Sequence, residues 1–242
     1  DSGFTDDGHP FLSMQLCPGG SLGDALRHRG PLPVPEVLHA GVTIAAALAF
    51  AHSVGVLHRD IKPENILVGP FGEPLLADFG IATIDDQRVS TMTAASFTIN
   101  HAAPECLAGA PPSASADLYE LSSTLYTLLA GHPPFVAGAS AALVALVSMV
   151  MNEPAPPLQR PDVPPSLNGL LLAGLAKGPE GRPPDATAFG RGLQAVQAAL
   201  GLPVTAWPTA PAGAGAAAAG AAAATVPGSG TVPPAPAGGM LT

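Results

Sequence analysis

The most informative stretch of this 242-residue chain is His58-Arg59-Asp60-Ile61-Lys62-Pro63-Glu64-Asn65, and Asp78-Phe79-Gly80 follows thirteen residues after Asn65. Two short apolar runs lie between these motifs, at 66–68 and 75–77, and the turn-forming Gly69-Pro70-Phe71-Gly72 separates them. Apolar runs on either side of such a turn predict a β-hairpin. The hairpin would fold the chain back on itself, so that Asn65 and Asp78 could meet at one metal ion.

The polar residues of the two motifs are of the types that phosphoryl transfer requires. That reaction needs hard oxygen ligands for Mg²⁺, a carboxylate near the attacking hydroxyl, and a cation on the transferred phosphoryl group. Asp60 can accept the hydroxyl proton, and Lys62 can neutralise the γ-phosphate. Asn65 and Asp78 can ligate Mg²⁺. The alternative is an ordinary acidic loop that contains H-R-D by chance, and three motif elements in the right order argue against it.

This stretch resembles the C-terminal lobe of a bacterial eukaryotic-like (Hanks-type) serine/threonine protein kinase, whose signature set includes both motifs. The resemblance extends over about residues 1–202 and includes Ala103-Pro104-Glu105, Gly131-His132-Pro133-Pro134-Phe135 and Arg182 in a Pro-Glu-Gly-Arg-Pro context. Lys62 favours the serine/threonine branch. The resemblance implies an enzyme that uses ATP and Mg²⁺ and phosphorylates Ser or Thr hydroxyls of a protein substrate.

The resemblance also implies structural and regulatory roles for residues around these motifs. Glu105 would form a buried ion pair with Arg182, and Asp117 would accept hydrogen bonds from the backbone around His58 and Arg59. His58 and Phe79 would be packing residues, and Gly80 completes the second motif. Residues 81–102 would form an activation segment, in which a phosphorylated residue would bind Arg59. Thr98 would contact the catalytic aspartate and lysine.

Residues 10–22 resemble the fifth strand, the hinge and the start of the following helix of such a kinase. Met14 would be the gatekeeper, Gln15 and Cys17 would offer backbone groups to adenine, and Leu67 would form the floor beneath the base. Gly19-Gly20-Ser21-Leu22-Gly23 could suggest a phosphate-binding loop. Ser21 is instead a good candidate for the N-cap of a helix that continues through Leu26.

The parts of a kinase that precede the hinge have no candidates in this sequence. They are a glycine-rich loop, a strand lysine and a helix glutamate, and the only lysines are Lys62 and Lys177. We therefore expect the small N-terminal lobe to be lacking here, and the isolated chain to be inactive without that lobe of the same polypeptide. Two explanations remain open: a fragment of a longer kinase, or a pseudokinase-like interaction module.

Charge and cysteine content limit the remaining classes of function. Nine basic and eighteen acidic residues give a net charge of −9, which argues against binding to nucleic acid or to an anionic membrane surface. Cys17 and Cys106 lie far apart and fit two thiols in a reducing cytosol, so a cytoplasmic location is expected. No uninterrupted apolar run reaches the length of about 18–20 residues that spans a bilayer.

The predicted fold class is mainly α (α+β), a helical bundle with one small β-hairpin at the catalytic cleft. Apolar periodicity and helix-stop signals predict helices over residues 36–54, 117–130, 139–151, 166–176 and 186–200. Residues 203–242 contain no charged residue and are rich in Ala, Gly and Pro. Such a segment buries too little apolar surface to offset its ordering entropy, so a disordered tail or linker is expected there.

Overall fold

The computed structural model describes residues 2–5, 7–79, 99–136 and 143–208. Within these residues the helices are α1 (Leu22–Arg29), α2 (Val34–Ser53), α3 (Pro104–Leu107), α4 (Ala114–Ala130), α5 (Leu143–Asn152), α6 (Pro165–Gly174) and α7 (Ala186–Ala199). Short 3₁₀ turns occur at Pro63–Asn65 and Pro179–Gly181. The strands are β1 (Ser2–Phe4), β2 (Pro10–Leu12), β3 (Ile66–Val68) and β4 (Pro74–Leu76).

Helix α2 is the core of the helical bundle and packs against α4 and α7. Gly41 allows this close packing, because a Cβ atom there would lie 2.8 Å from Leu193 and 2.9 Å from Leu125. The helix is 20 residues long, with a mean hydropathy of 1.6, and by length and composition it could cross a membrane. The helix contains no uninterrupted apolar run of that length, because His39 and Thr43 lie within it. Most of its residues are buried in the bundle, as in the core helix of a globular fold.

Helix α4 begins and ends at clear capping signals. The Ser113 side chain accepts a hydrogen bond from the backbone N–H of Ala116, and Gly131 ends the helix in the left-handed conformation with a φ of 86°. Every residue from Ala116 to Leu129 is buried. Because water is excluded from all sides of α4, its polar side chains must find partners in neighbouring elements.

The predicted hairpin at the catalytic cleft is present as β3 and β4. The strands pair antiparallel, with Ile66 opposite Leu76 and Val68 opposite Pro74. The pairing continues past the strands, because the N–H of Ala77 donates to the carbonyl of Asn65 over 2.9 Å. The hairpin therefore brings the residues after Asn65 and before Asp78 side by side. Strand β4 starts at Pro74, one residue earlier than predicted.

A second hairpin corrects the prediction of a single β element. Strands β1 and β2 pair antiparallel, with Ser2 opposite Leu12 and Phe4 opposite Pro10. Each strand has only three residues, which is too short for a clear alternation of apolar and polar residues. Sequence periodicity therefore could not detect this hairpin.

The helix boundaries differ from the predictions mainly at the N-termini. Helix α4 begins at Ala114 because Ser113 caps it, three residues before the predicted start. Helix α2 begins at Val34, ahead of Pro35, which occupies the first turn where a proline is tolerated. Of the predicted helix 139–151, residues 139–142 lie outside the described residues, and α5 begins at Leu143.

The compact unit extends to Pro208, beyond the boundary predicted after residue 202. The backbone N–H of Thr205 donates to Gln197, and Gln194 donates to the carbonyl of Thr205. Trp207 packs against the core beside Gly190. These contacts explain why residues 203–208 do not belong to a tail. Residues 209–242 lie outside the described residues, and the disordered tail stays a prediction for them.

Candidate active site

The carboxylate of Asp60 is the point at which the polar side chains of the HRD-containing loop (residues 58–65, hereafter the catalytic loop) meet. The Lys62 ammonium donates to Asp60 Oδ2 over 2.6 Å. The Asn65 amide nitrogen donates to the same oxygen over 3.1 Å and to the Asp60 carbonyl over 2.8 Å. The side chains of Asp60 and Lys62 are partly exposed, at 32% and 20%. This arrangement presents a carboxylate and a cation together at the protein surface.

Asn65 and Asp78 are the two predicted metal ligands, and the hairpin places them at its open end. Because Asn65 uses Nδ2 for its hydrogen bonds to Asp60, its Oδ1 is the atom that could face an ion. Asp78 follows Ala77, the residue paired with Asn65, and has a left-handed backbone with a φ of 57°. One amide and one carboxylate oxygen fit Mg²⁺, which takes few protein ligands and keeps phosphate and water ligands. Among the described residues, no group of three or more His, Cys, Asp or Glu could hold a metal ion.

His58 connects the catalytic loop to the segment that contains Asp78. Its Nε2 lies 2.9 Å from the carbonyl oxygen of Ala77, and its ring centroid lies 4.7 Å from that of Phe79. Burial lowers the pKa of His58, although the Ala77 carbonyl and nearby carboxylates act in the opposite direction. A neutral, buried imidazole with a backbone partner is suited to packing and orientation.

Asp117 fixes the backbone conformation just before Asp60. Its two carboxylate oxygens accept the N–H groups of His58 over 2.9 Å and of Arg59 over 2.8 Å. Arg59 has a φ of 71°, a left-handed conformation that is unfavourable for a residue with a long side chain. Such a conformation persists only where its surroundings hold it in place. His52 Nε2 lies 2.7 Å from the same carboxylate and orients it.

Arg182 and Glu105 form a two-point ion pair below the catalytic loop. The two guanidinium nitrogens Nη1 and Nη2 lie 2.6 and 2.7 Å from the carboxylate oxygens of Glu105. The Arg182 side chain is fully buried, donates to the carbonyls of Ala176, Ser115 and Lys177, and lies over the ring of Tyr119. Burial raises the pKa of Glu105, but the hydrogen bonds and charge of Arg182, together with a backbone hydrogen bond, outweigh it, and the net shift is downward.

Of the residues predicted to contact adenine, Leu67 lies in β3, whereas Met14, Gln15 and Cys17 lie in the segment between β2 and α1. The N–H of Gly19 donates to the carbonyl of Val68, and Ser21 forms a bridge with Leu67. These contacts hold the predicted hinge against the hairpin, with Leu67 and Cys17 half-buried. Met14 and Gln15 are exposed, Met14 at 68%. Ser21 caps α1 through a reciprocal capping box with Asp24, as predicted.

Gly80 and Thr98 lie outside the described residues, as does the part of the predicted activation segment between them. The described end of that segment contains His101, which is buried and whose Nδ1 lies 2.9 Å from the Ser123 hydroxyl. Burial lowers the pKa of His101 to about 4. The imidazole is therefore neutral near pH 7.

Sequence analysis missed two residues that contact the catalytic loop. Glu120 Oε2 accepts the N–H of Ile61 over 2.9 Å, and the Thr124 hydroxyl donates to the carbonyl of Ile61 over 3.0 Å. The signal was present in the spacing, because residues 117, 120 and 124 fall on one face of a helix. Three polar residues on one face of an apolar helix would have indicated a shared polar partner.

Comparisons with known proteins agree with this geometry. A family model described as protein kinase domain matches residues 2–187. The chain is 36% identical over 201 residues to the serine/threonine-protein kinase PknK of Mycobacterium bovis, covering 83% of this chain and 18% of that protein. It is 36% identical over 199 residues to PknL of Mycobacterium tuberculosis, covering 82% and 50%. It is 37% identical over 178 residues to PknH of Mycobacterium bovis, covering 73% and 30%.

The match therefore spans half or less of the length of each of these relatives. The family model nevertheless covers most of this chain, and residues 2–187 include the catalytic loop, the hairpin and the buried ion pair. On these findings, the chain belongs to the protein kinase family and is similar to bacterial Hanks-type serine/threonine kinases.

Proposed function

We propose that residues 2–208 are the hinge and C-terminal lobe of a serine/threonine protein kinase, which transfers the γ-phosphate of ATP to Ser or Thr hydroxyls of proteins. The observation that carries this proposal is the convergence of Lys62 and Asn65 on the carboxylate of Asp60. A structural loop has no need to hold a partly exposed cation and carboxylate together above a buried amide. Phosphoryl transfer uses all three.

In this proposal Asp60 accepts the proton of the attacking hydroxyl, and Lys62 contacts the transferred phosphoryl group. The 2.6 Å contact between their side chains keeps the proton acceptor and the cation within reach of the same reacting atoms. Asn65 and Asp78 would hold Mg²⁺, through Oδ1 of the amide and the carboxylate. When bound, Mg²⁺ neutralises phosphate charge as that charge develops.

ATP would bind along the surface next to β3, with adenine between the hinge and Leu67. Met14, Gln15 and Cys17 would contact the base from the hinge side. The N-terminal segment that includes the predicted hinge carries the exposed apolar side chains of Phe4, Phe11, Met14 and Leu16, the last with 81% of its surface exposed. We infer that a small lobe of the same polypeptide covers this surface and supplies the glycine-rich loop and the strand lysine.

Regulation would involve the activation segment. Arg59 precedes Asp60 and lies next to the backbone that Asp117 fixes, so a phosphorylated residue bound to its guanidinium would influence the catalytic loop directly. Thr98 would contact Asp60 and Lys62.

The test is a phosphotransfer assay on this chain fused behind the small lobe of a related kinase such as PknL, with labelled ATP, Mg²⁺ and a basic protein substrate. Replacing Asp60→Asn should lower kcat by about 10²- to 10⁴-fold, the usual contribution of a general base. The matched control is Asp162→Asn, because Asp162 is an exposed carboxylate paired with Arg160 away from the cleft.

Wild-type activity in the Asp60→Asn variant would contradict the assignment. The alternative function, a non-catalytic interaction module, makes the opposite prediction. In that case the wild-type fusion would neither bind Mg·ATP nor transfer phosphate, and Asp60→Asn would leave partner binding unchanged.

A further inference from the structure

Helix α4 presents three hydrogen-bonding side chains to the catalytic loop from one of its faces. Asp117 accepts the N–H groups of His58 and Arg59, Glu120 accepts the N–H of Ile61, and Thr124 donates to the carbonyl of Ile61. Residues three and four apart lie above one another on a helix. The three side chains therefore form a continuous row, which we name the α4 row (Asp117, Glu120 and Thr124).

The α4 row holds the backbone on both sides of Asp60. Before Asp60, the peptide N–H of Arg59 is bound to Asp117, and after it both polar groups of Ile61 are bound to Glu120 and Thr124. Ile61 and Thr124 are completely buried. With its neighbours fixed in this way, the Asp60 side chain has little freedom to turn away from Lys62 and Asn65.

A carboxylate is an unusual choice for this buried position, since Glu120 is only 6% exposed. Removal from water raises the pKa of Glu120 well above its ordinary value, and Asp117 and Asp60 add to the effect. The Ile61 N–H and the Lys62 ammonium act in the opposite direction. Glu120 lines a cavity of about 220 Å³, which is also lined by His101, Cys106 and Arg59. An apolar side chain of similar size would fill this space at a lower desolvation cost.

We propose that Glu120 is a positioning residue for Asp60. By accepting the hydrogen bond of the Ile61 N–H, it directs the Asp60 carboxylate towards Lys62 and Asn65. Its effect on catalysis rests on the proposed kinase function. Its effect on the geometry of the catalytic loop does not, and the two are therefore tested separately.

The geometric test uses NMR of the 242-residue chain and observes the side-chain amide of Asn65, which donates to Asp60. Glu120→Leu removes the carboxylate that accepts the hydrogen bond of the Ile61 N–H. The chemical shifts of the Asn65 side-chain amide should therefore change, and its hydrogen exchange should accelerate at least tenfold. Glu120→Gln keeps an oxygen that can accept the Ile61 N–H, and it should restore slow exchange. Thr124→Val should produce a smaller change than Glu120→Leu, because Ile61 keeps its N–H partner.

The matched control is Ser122→Ala, on the same helix. Ser122 is equally buried, but its hydroxyl donates to the carbonyl of Leu118 within α4 and does not contact the catalytic loop. This variant should leave the Asn65 signals unchanged. The proposal is wrong if Glu120→Leu is folded and the Asn65 amide is unaffected, or if Ser122→Ala disturbs it equally.

The kinetic test uses the small-lobe fusion described above. Glu120→Leu should lower kcat at least tenfold while the KM for ATP stays within twofold, because the hinge and the hairpin are not altered. Glu120→Gln should retain most of the wild-type kcat. An equal loss of kcat in Glu120→Gln and Glu120→Leu would contradict the positioning role. An inactive wild-type fusion would contradict the kinase function instead, and the NMR result would still decide the role of Glu120.

Discussion

Arg182 binds Glu105 through two parallel hydrogen bonds that connect residues 77 positions apart in the sequence. The pair joins the start of α3 to the segment between α6 and α7, and Arg182 also donates to three backbone carbonyls. The guanidinium is thus the common partner of α3, of the start of α4 and of the segment that follows α6. Its loss would leave a carboxylate and several carbonyls without donors.

We expect Arg182→Ala to lower the free energy of unfolding by about 3–5 kcal/mol, the range measured when one partner of a buried ion pair is removed. Urea denaturation followed by circular dichroism would measure the change. Arg29→Ala is the control, because Arg29 forms an exposed pair with Glu36, and exposed pairs contribute at most about 1 kcal/mol. Equal effects of the two variants would show that the Arg182 pair is not a structural anchor.

The fold could be predicted from the sequence wherever local signals were strong. Gly131 ends α4, Ser21 caps α1, and the turn at 69–72 places β3 against β4. Local signals failed where tertiary contacts determine the structure. The six residues 203–208 resemble a linker in composition, but the hydrogen bonds of Thr205 and the packing of Trp207 hold them on the bundle.

In the candidate site, too, some residues could be identified from local sequence signals and others only from tertiary contacts. Asp60, Lys62 and Asn65 lie within six residues of one another, and a motif identifies them directly. Glu120 and Thr124 could not be assigned from a motif, because their partner, Ile61, is about sixty positions away and bonds through its backbone. A backbone group carries no sequence signal. The helical spacing of residues 117, 120 and 124 indicates a shared polar partner, but only the structure identifies that partner as the backbone of Ile61.

The buried imidazole of His101 makes stability depend on pH in the acidic range. Its pKa falls from 6.5 in the unfolded chain to about 4 in the folded protein, so the unfolded state binds more protons between these values. The contribution of His101 to the free energy of unfolding is therefore fully present above about pH 6.5. It is lost as the pH falls towards 4, by about 3 kcal/mol in total. His101→Asn should flatten this dependence, which urea titrations at several pH values would measure. Equal slopes in wild type and His101→Asn would contradict the assignment.

Glu120 should make stability depend on pH in the opposite direction. Burial raises its pKa in the folded state, so the folded protein retains a proton that the unfolded chain releases above about pH 4.5. Wild-type stability relative to Glu120→Gln should therefore be greatest at low pH and decline as the pH rises. Paired denaturation curves of the two proteins between pH 4 and pH 9 would measure the difference. A difference that stays constant over this range would show that Glu120 has the same pKa in the folded and unfolded states and would contradict the raised value.

On the proposal that a small lobe completes the site, the 242-residue chain by itself should have little or no kinase activity. Met14 and Leu16 are largely exposed beside the predicted adenine site, so bound nucleotide would remain in contact with water. In a high dielectric, the attraction between Lys62 and a phosphoryl group falls to a small fraction of its value in an enclosed site. Incubation of the chain with labelled ATP, Mg²⁺ and a basic protein would measure turnover, with the small-lobe fusion as the positive control. Turnover by the isolated chain within tenfold of the fusion would show that the described residues form a complete catalytic site, and it would overturn the proposal that a second lobe is required.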